Sequence, residues 1–109
     1  MSADPLGAER AAALAQIEAL TREFDAIVAA SRASNADDEH DPEGATIAFE
    51  RQQVAALLEA ARRRLADVDA AVTAVEAGTY GRCESCGGPI APERLAARPS
   101  ARTCITCAR

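Results

Sequence analysis

Along the first third of the chain, apolar residues recur at alternating steps of three and four. The series is Leu6, Ala13, Ile17, Leu20, Phe24 and Ile27, with Arg10 interrupting it, Ser31 ending it, and Leu14 and Val28 widening the stripe. A second series runs through Ile47, Val54, Leu58, Ala61, Leu65, Val68, Val72 and Val75, with Leu57 beside it. From Val54 onward its steps are 4-3-4-3-4-3, an unbroken heptad pattern. Such spacing places the apolar positions on one face of a helix. The opposite faces are charged, as in "EAARRRLADVDA". Between the two series lies "SNADDEHDPEGA", residues 34–45, which has no apolar pattern. Asp41-Pro42 predicts a helix start, an Asp cap followed by Pro at the first helical position. Gly78 predicts the stop. The second helix should then be about 35 residues, or roughly 50 Å, long. Neither stripe can remain in water and the connection is short, so the helices should pair antiparallel. The expected fold is mainly α: an antiparallel coiled-coil hairpin with its tip at about residues 34–45. The alternative is a four-helix bundle of two such hairpins, because alanines at several seam positions permit close approach.

Composition sharpens this picture. The chain has 28 alanines, and its aromatics are Phe24, Phe49 and Tyr80. Alanine is the strongest helix former, and so few large side chains cannot fill a thick core. The N-terminal "MSADPLGAER" has neither a basic n-region nor an apolar h-region, so no secretory signal is expected. No apolar run approaches the roughly 18 residues of a membrane span. A cytoplasmic protein, with no membrane association, is the expectation. The net charge of −5 is unevenly placed. Residues 1–79 carry 15 acids against 7 arginines, whereas residues 80–109 carry 2 acids against 5 arginines. An acidic body argues against direct DNA binding as the main activity. All the cations are arginine, which genomic codon bias explains.

The candidate chemistry lies in "CESCGGPIAPERLAARPSARTCITC", which holds all four cysteines. They form two Cys-x-x-Cys pairs, Cys83 with Cys86 and Cys104 with Cys107, separated by 17 residues. Each pair on a tight turn offers two thiolates to one metal, and the spacer suits a structural zinc site. Gly87-Gly88 after Cys86 allows backbone amides to approach the sulfurs. Four thiolates around Zn²⁺ leave a charge near −2, which Arg82, Arg94, Arg98 and Arg102 could offset. A thioredoxin-like dithiol fits poorly, since its βαβ setting is missing. Disulfides are disfavoured in a reducing compartment. A catalytic zinc is disfavoured because four cysteines leave no open coordination position. One structural Zn²⁺ per chain, in a module spanning residues 79–109, is the expectation, with residues 1–78 forming the hairpin.

The stretch "GTYGRCESCGGPIAPERLAARPSARTCITC" resembles the DksA/TraR family of bacterial transcription regulators. It carries Cys-[acid]-x-Cys, then Ile90, Arg94 and Pro99 at the family's offsets, then Cys-x-x-Cys. The hairpin ahead of the finger has the family's layout as well. The resemblance implies a C4-type zinc finger beside a long coiled-coil hairpin. It further implies a protein that binds RNA polymerase rather than DNA, inserting the hairpin into the secondary channel so that the acidic tip nears the active centre. Some members act together with the alarmone ppGpp. This chain is shorter than DksA-type members and has no further helix after the finger, which weakens the expectation of a ppGpp response. DksA-type tips carry Asp-x-x-Asp-x-Ala. Aligned from the finger, that motif falls here on His40, Glu43 and Ala45. Shifted by two residues it becomes Asp38-x-x-Asp41, with Glu43 in place of the alanine. Asp38, Asp41, Glu43 and Ala45 are therefore the candidate residues facing the polymerase active centre.

Each of these features also has a plainer reading. An acidic loop can simply be solvated, whereas the functional reading that the resemblance implies is that Asp38, Asp41 and Glu43 present carboxylates near catalytic Mg²⁺ in the polymerase. His40 among carboxylates reads as a solvated neighbour. The "RRR" of residues 62–64 reads as a solvated helix face, and Arg94 and Arg98 as braces for the zinc module. No nucleophile with a base and no phosphate loop can be argued, so no enzymatic activity is expected. The chain is expected to be a monomer, with a dimer as the alternative. The competing function is that of a structural or adaptor zinc protein whose hairpin dimerises or docks a partner helix.

Overall fold

The computed structural model describes residues 4–35 and 42–108, with side chains over 5–33 and 45–108. Two long helices dominate: α1, Asp4–Asn35, and α2, Pro42–Ala77, of 32 and 36 residues. A short third helix, α3, spans Pro92–Ala97. No strand occurs among the described residues; an isolated antiparallel bridge joins Arg82 and Pro89. The helix α2 begins at Pro42, where the fixed ring torsion of proline suits a first turn. It ends in a Schellman cap. Gly78 turns into the left-handed region at φ 77°, and its N–H reaches the Val75 carbonyl at 3.2 Å while that of Thr79 reaches Ala74 at 2.8 Å. These two bonds satisfy carbonyls that the helix end would otherwise leave open.

The two long helices form a hairpin, and the chain divides into two compact units. Residues 13–62 make one unit, with a core of Leu20, Val54, Leu58 and Ala61 against which Ile17, Phe24 and Ile27 pack. Residues 1–12 and 63–109 make the other. There Leu6, Val68 and Ala71 are buried. Arg10 on α1 bonds Asp69 on α2 at 2.7 Å, so the start of one helix lies beside the later part of the other. The apolar stripes predicted from the sequence supply these cores, with three differences. Leu14 and Leu57, expected to widen the stripes, are exposed, and Ala71 is buried where the heptad places half-buried Val72. Ala71 lies about 100° round the helix from Val72, so the covered side of α2 there is the one that Ala71 occupies.

Of the candidate tip, Asp38 and Asp41 lie outside the described residues. Glu43 falls in the first turn of α2 with its side chain outside them, and Ala45 is exposed.

Candidate metal centre

The cysteine module is built from turns. In the first knuckle, the Gly87 N–H donates to the Cys83 carbonyl at 2.9 Å and the Cys83 N–H to Gly88 at 2.7 Å. Gly87 takes φ 76°, which favours glycine. Gly88 then points its N–H at the Cys86 sulfur, 3.4 Å away. A Cβ on Gly88 would sit 3.4 Å from that same sulfur, in close contact with the ligand. The second knuckle repeats the turn, with Cys107 and Ala108 N–H groups both donating to the Cys104 carbonyl at 3.1 and 2.9 Å. Beneath the knuckles lies a small core of Cys83, Ile90 and Leu95, with Tyr80, Ala101, Cys104 and Cys107 packed against it. Leu95 comes from α3, which the apolar periodicity alone does not reveal. Its signal in the sequence is Pro92 with Glu93 at a first turn.

All four sulfurs lie within 4.8 Å of one another, and those of Cys86 and Cys104 are 3.9 Å apart. A tetrahedral zinc with Zn–S of about 2.3 Å would hold its sulfurs roughly 3.8 Å apart. The donor set is all thiolate, closed, and of the right span, so it fits Zn²⁺ in a structural role. The electrostatics agree. Amide hydrogen bonds, first from Cys104 and then from Cys86, bring the Cys83 thiol down to about 6. The Cys104 thiol is lowered too, chiefly by the Cys107 backbone. Cys107 is pushed up to about 12 by hydrogen bonding with Cys104, then Cys83 and Cys86. Without a cation, four clustered sulfurs share protons, and one thiol keeps its own tenaciously. A divalent ion removes that obstacle.

Of the arginines expected near the sulfurs, Arg102 is engaged elsewhere, and Arg94 acts as the brace that the sequence suggests. Rather than lying over the sulfurs, the Arg102 guanidinium bonds Glu84 at 2.8 Å and Asp67 at 3.2 Å. Arg94 donates to the Thr103 carbonyl at 2.9 Å, bracing the residue just before Cys104. The Gly88 amide, 3.4 Å from the Cys86 sulfur, hydrogen-bonds a ligand directly. Two further contacts were not foreseen. Ser100, buried, donates to Glu9 on α1 at 3.0 Å, and the Tyr80 hydroxyl donates to the Pro99 carbonyl at 2.8 Å. Sequence separations of 91 and 19 residues leave no local pattern by which to find them.

Comparison with known proteins agrees with this geometry. Residues 78–109 match the model of the prokaryotic dksA/traR C4-type zinc finger. The chain is 42% identical over 66 residues to YteA of Bacillus subtilis (strain 168), covering 61% of this chain and 28% of that protein. It is 48% identical over 44 residues to an uncharacterized protein of Aquifex aeolicus (strain VF5), covering 40% of this chain and 30% of that one. YlyA of Bacillus subtilis (strain 168) matches at 41% over 56 residues, covering 51% and 45%. The chain thus spans less than half the length of each of these relatives. Among solved structures, the transcription factor DksA2 from Pseudomonas aeruginosa is similar, with a TM-score of 0.53 and 28% identity. That match covers 93% of this chain and 78% of DksA2. Residues 78–109 thus match the DksA/TraR C4-type zinc finger in sequence, and the hairpin and finger together are similar to DksA2 in structure.

Proposed function

We propose that this protein is a zinc-containing transcription regulator that binds RNA polymerase through the secondary channel and acts in the cytoplasm. The observation that carries this reading is the match of 93% of the chain to a DksA structure, hairpin and finger together. Cys83, Cys86, Cys104 and Cys107 would hold one Zn²⁺, which supplies cross-linking rather than chemistry. The two helices would reach into the channel, and Asp38, Asp41, Glu43 and Ala45 would face the active centre. Carboxylates there could perturb a catalytic Mg²⁺ that keeps most of its waters, without a dedicated protein cage. The altered motif makes binding the firmer half of the proposal and a DksA-like effect on initiation the other half. A response to ppGpp belongs to that second half.

Co-elution of the purified zinc protein with bacterial core RNA polymerase tests the reading directly. A stoichiometric complex supports it, and no complex at micromolar concentrations removes it. One observation favours the adaptor reading: Phe49 and Leu57 on α2 are 61% and 53% exposed. A helix-docking adaptor needs such a flank, whereas the regulator needs the tip. Replacing both residues with alanine should abolish partner capture in the first case and leave polymerase binding largely intact in the second.

A further inference from the structure

Arg102 makes contacts in three directions. Its own carbonyl accepts the Glu84 N–H at 2.9 Å. Its Nε returns to the Glu84 carboxylate at 2.8 Å, and its Nη1 bonds Asp67 on α2 at 3.2 Å. Glu84 follows Cys83 directly, and Arg102 precedes Cys104 by two residues. The paired contacts between 84 and 102 therefore fix one knuckle against the other, and Asp67 fixes both against α2. We propose that Arg102 is a positioning residue that sets the register of the two zinc knuckles and couples zinc occupancy to the end of α2.

The two carboxylates outnumber the one guanidinium, so the cluster adds no positive charge that could stabilise the thiolates directly. Its effect must pass through geometry. The Glu84–Arg102 pair closes the finger across 18 residues at the point where the two chain segments enter the metal site. Zinc in turn holds Cys83 and Cys104 together, and this keeps Glu84 and Arg102 in reach of each other. The two cross-links close the same loop and so stabilise each other. Removing the metal widens the gap that Arg102 must span to hold Asp67. Side chains in the cluster are about half exposed, 42% for Arg102, 40% for Asp67 and 52% for Glu84. Pairs this open are screened by salt, which gives the coupling a readable signature.

The test uses the full-length zinc-loaded protein and three variants: Arg102→Met, Arg102→Lys and Asp67→Asn. Zinc transfer to an excess of chromophoric chelator should be about fivefold faster for Arg102→Met, the upper end for loss of an exposed ion pair. Arg102→Lys keeps the charge but not the fork, and should fall between. Raising the ionic strength should speed release from the parent protein and leave Arg102→Met unchanged. Because coupling is reciprocal, Asp67→Asn should release zinc faster than the parent but more slowly than Arg102→Met. In the Asp67→Asn variant, hydrogen exchange over residues 63–77 should no longer respond to chelation. The d–d absorption of the Co²⁺-loaded finger should shift in Arg102→Met and not in Asp67→Asn. The proposal is overturned if Arg102→Met matches the parent in release rate and spectrum. It is equally overturned if exchange in α2 responds to zinc as strongly in Asp67→Asn as in the parent. Should Arg102→Met not fold, Asp67→Asn, at an exposed helix position, still decides the coupling.

Discussion

At the scale of single residues, the most informative side chain outside the cysteines is Tyr80. Burial raises its pKa above the ordinary 10.0, and the charge of Glu9 raises it further. Its hydroxyl donates to the Pro99 carbonyl, a bond the phenolate cannot make. A phenol whose folded pKa exceeds its unfolded one contributes stability that is complete below the unfolded value. That contribution fades as pH rises through the folded value. With one Tyr and no Trp in the chain, phenolate absorbance reports this group alone. The folded protein should therefore ionise at higher pH than the urea-unfolded chain. Glu9→Gln should narrow the gap without closing it, since burial is the larger cause. Zinc responds to pH in the opposite direction. Metal binding displaces thiol protons, above all the one Cys107 holds up to about 12, so affinity must fall as pH falls. Titration with a zinc-responsive dye should show one zinc per chain at neutral pH. Loss should steepen below about 6, where Cys83 too takes up its proton in the metal-free finger.

At the scale of the element, the hairpin separates residues that look alike in sequence. Leu57 and Leu58 are neighbours of identical chemistry, yet Leu58 is 8% exposed and Leu57 is 53%. A helix rotates about 100° per residue, so adjacent positions cannot share one seam. Leu58→Ala should lower unfolding stability by about 2–5 kcal/mol, the usual cost of emptying a buried site. Leu57→Ala should stay within about 0.5 kcal/mol. Thermal or urea melts followed by circular dichroism check both values. Equal losses would mean that α2 is rotated from the orientation described.

At the scale of the whole molecule, the question is what each part does without the other. The unit of residues 13–62 has its own core, in Leu20, Val54, Leu58 and Ala61, and uses no metal. Cys86→Ser should therefore collapse the finger and leave much of the helical signal. The loss should be concentrated at the helix ends that share a unit with the finger, residues 4–12 and 63–77. Circular dichroism with hydrogen exchange measures this, and melting of the entire hairpin would mean a single cooperative unit. Function divides in a similar way. The double change Asp41→Asn and Glu43→Gln keeps shape and removes charge, so zinc content should hold and folding stability should move by no more than about 0.5 kcal/mol. If the proposed polymerase binding holds, affinity should fall modestly and the effect on transcription much further, as compared in binding and run-off assays on the same preparation. Unchanged regulation would mean the acidic tip is only solvated.

The two long helices, the stop at Gly78, the conjunction of Cys83, Cys86, Cys104 and Cys107, and the likeness of the finger to the DksA/TraR type were all legible in the sequence. Each rests on local information: periodicity within a helix, the torsion that glycine permits, and a ligand pair on one turn. The assembled fold was needed to show that Ala71 is buried and Val72 only partly so, because which edge of an apolar stripe is covered depends on what packs against it. It alone showed α3 lending Leu95 to the core under the knuckles. The Ser100–Glu9 contact and the path of Arg102 to Asp67 were also its to decide. These join residues 91 and 35 positions apart. A side chain of one arginine can satisfy several acids equally well, and only the assembled fold brings particular ones within reach.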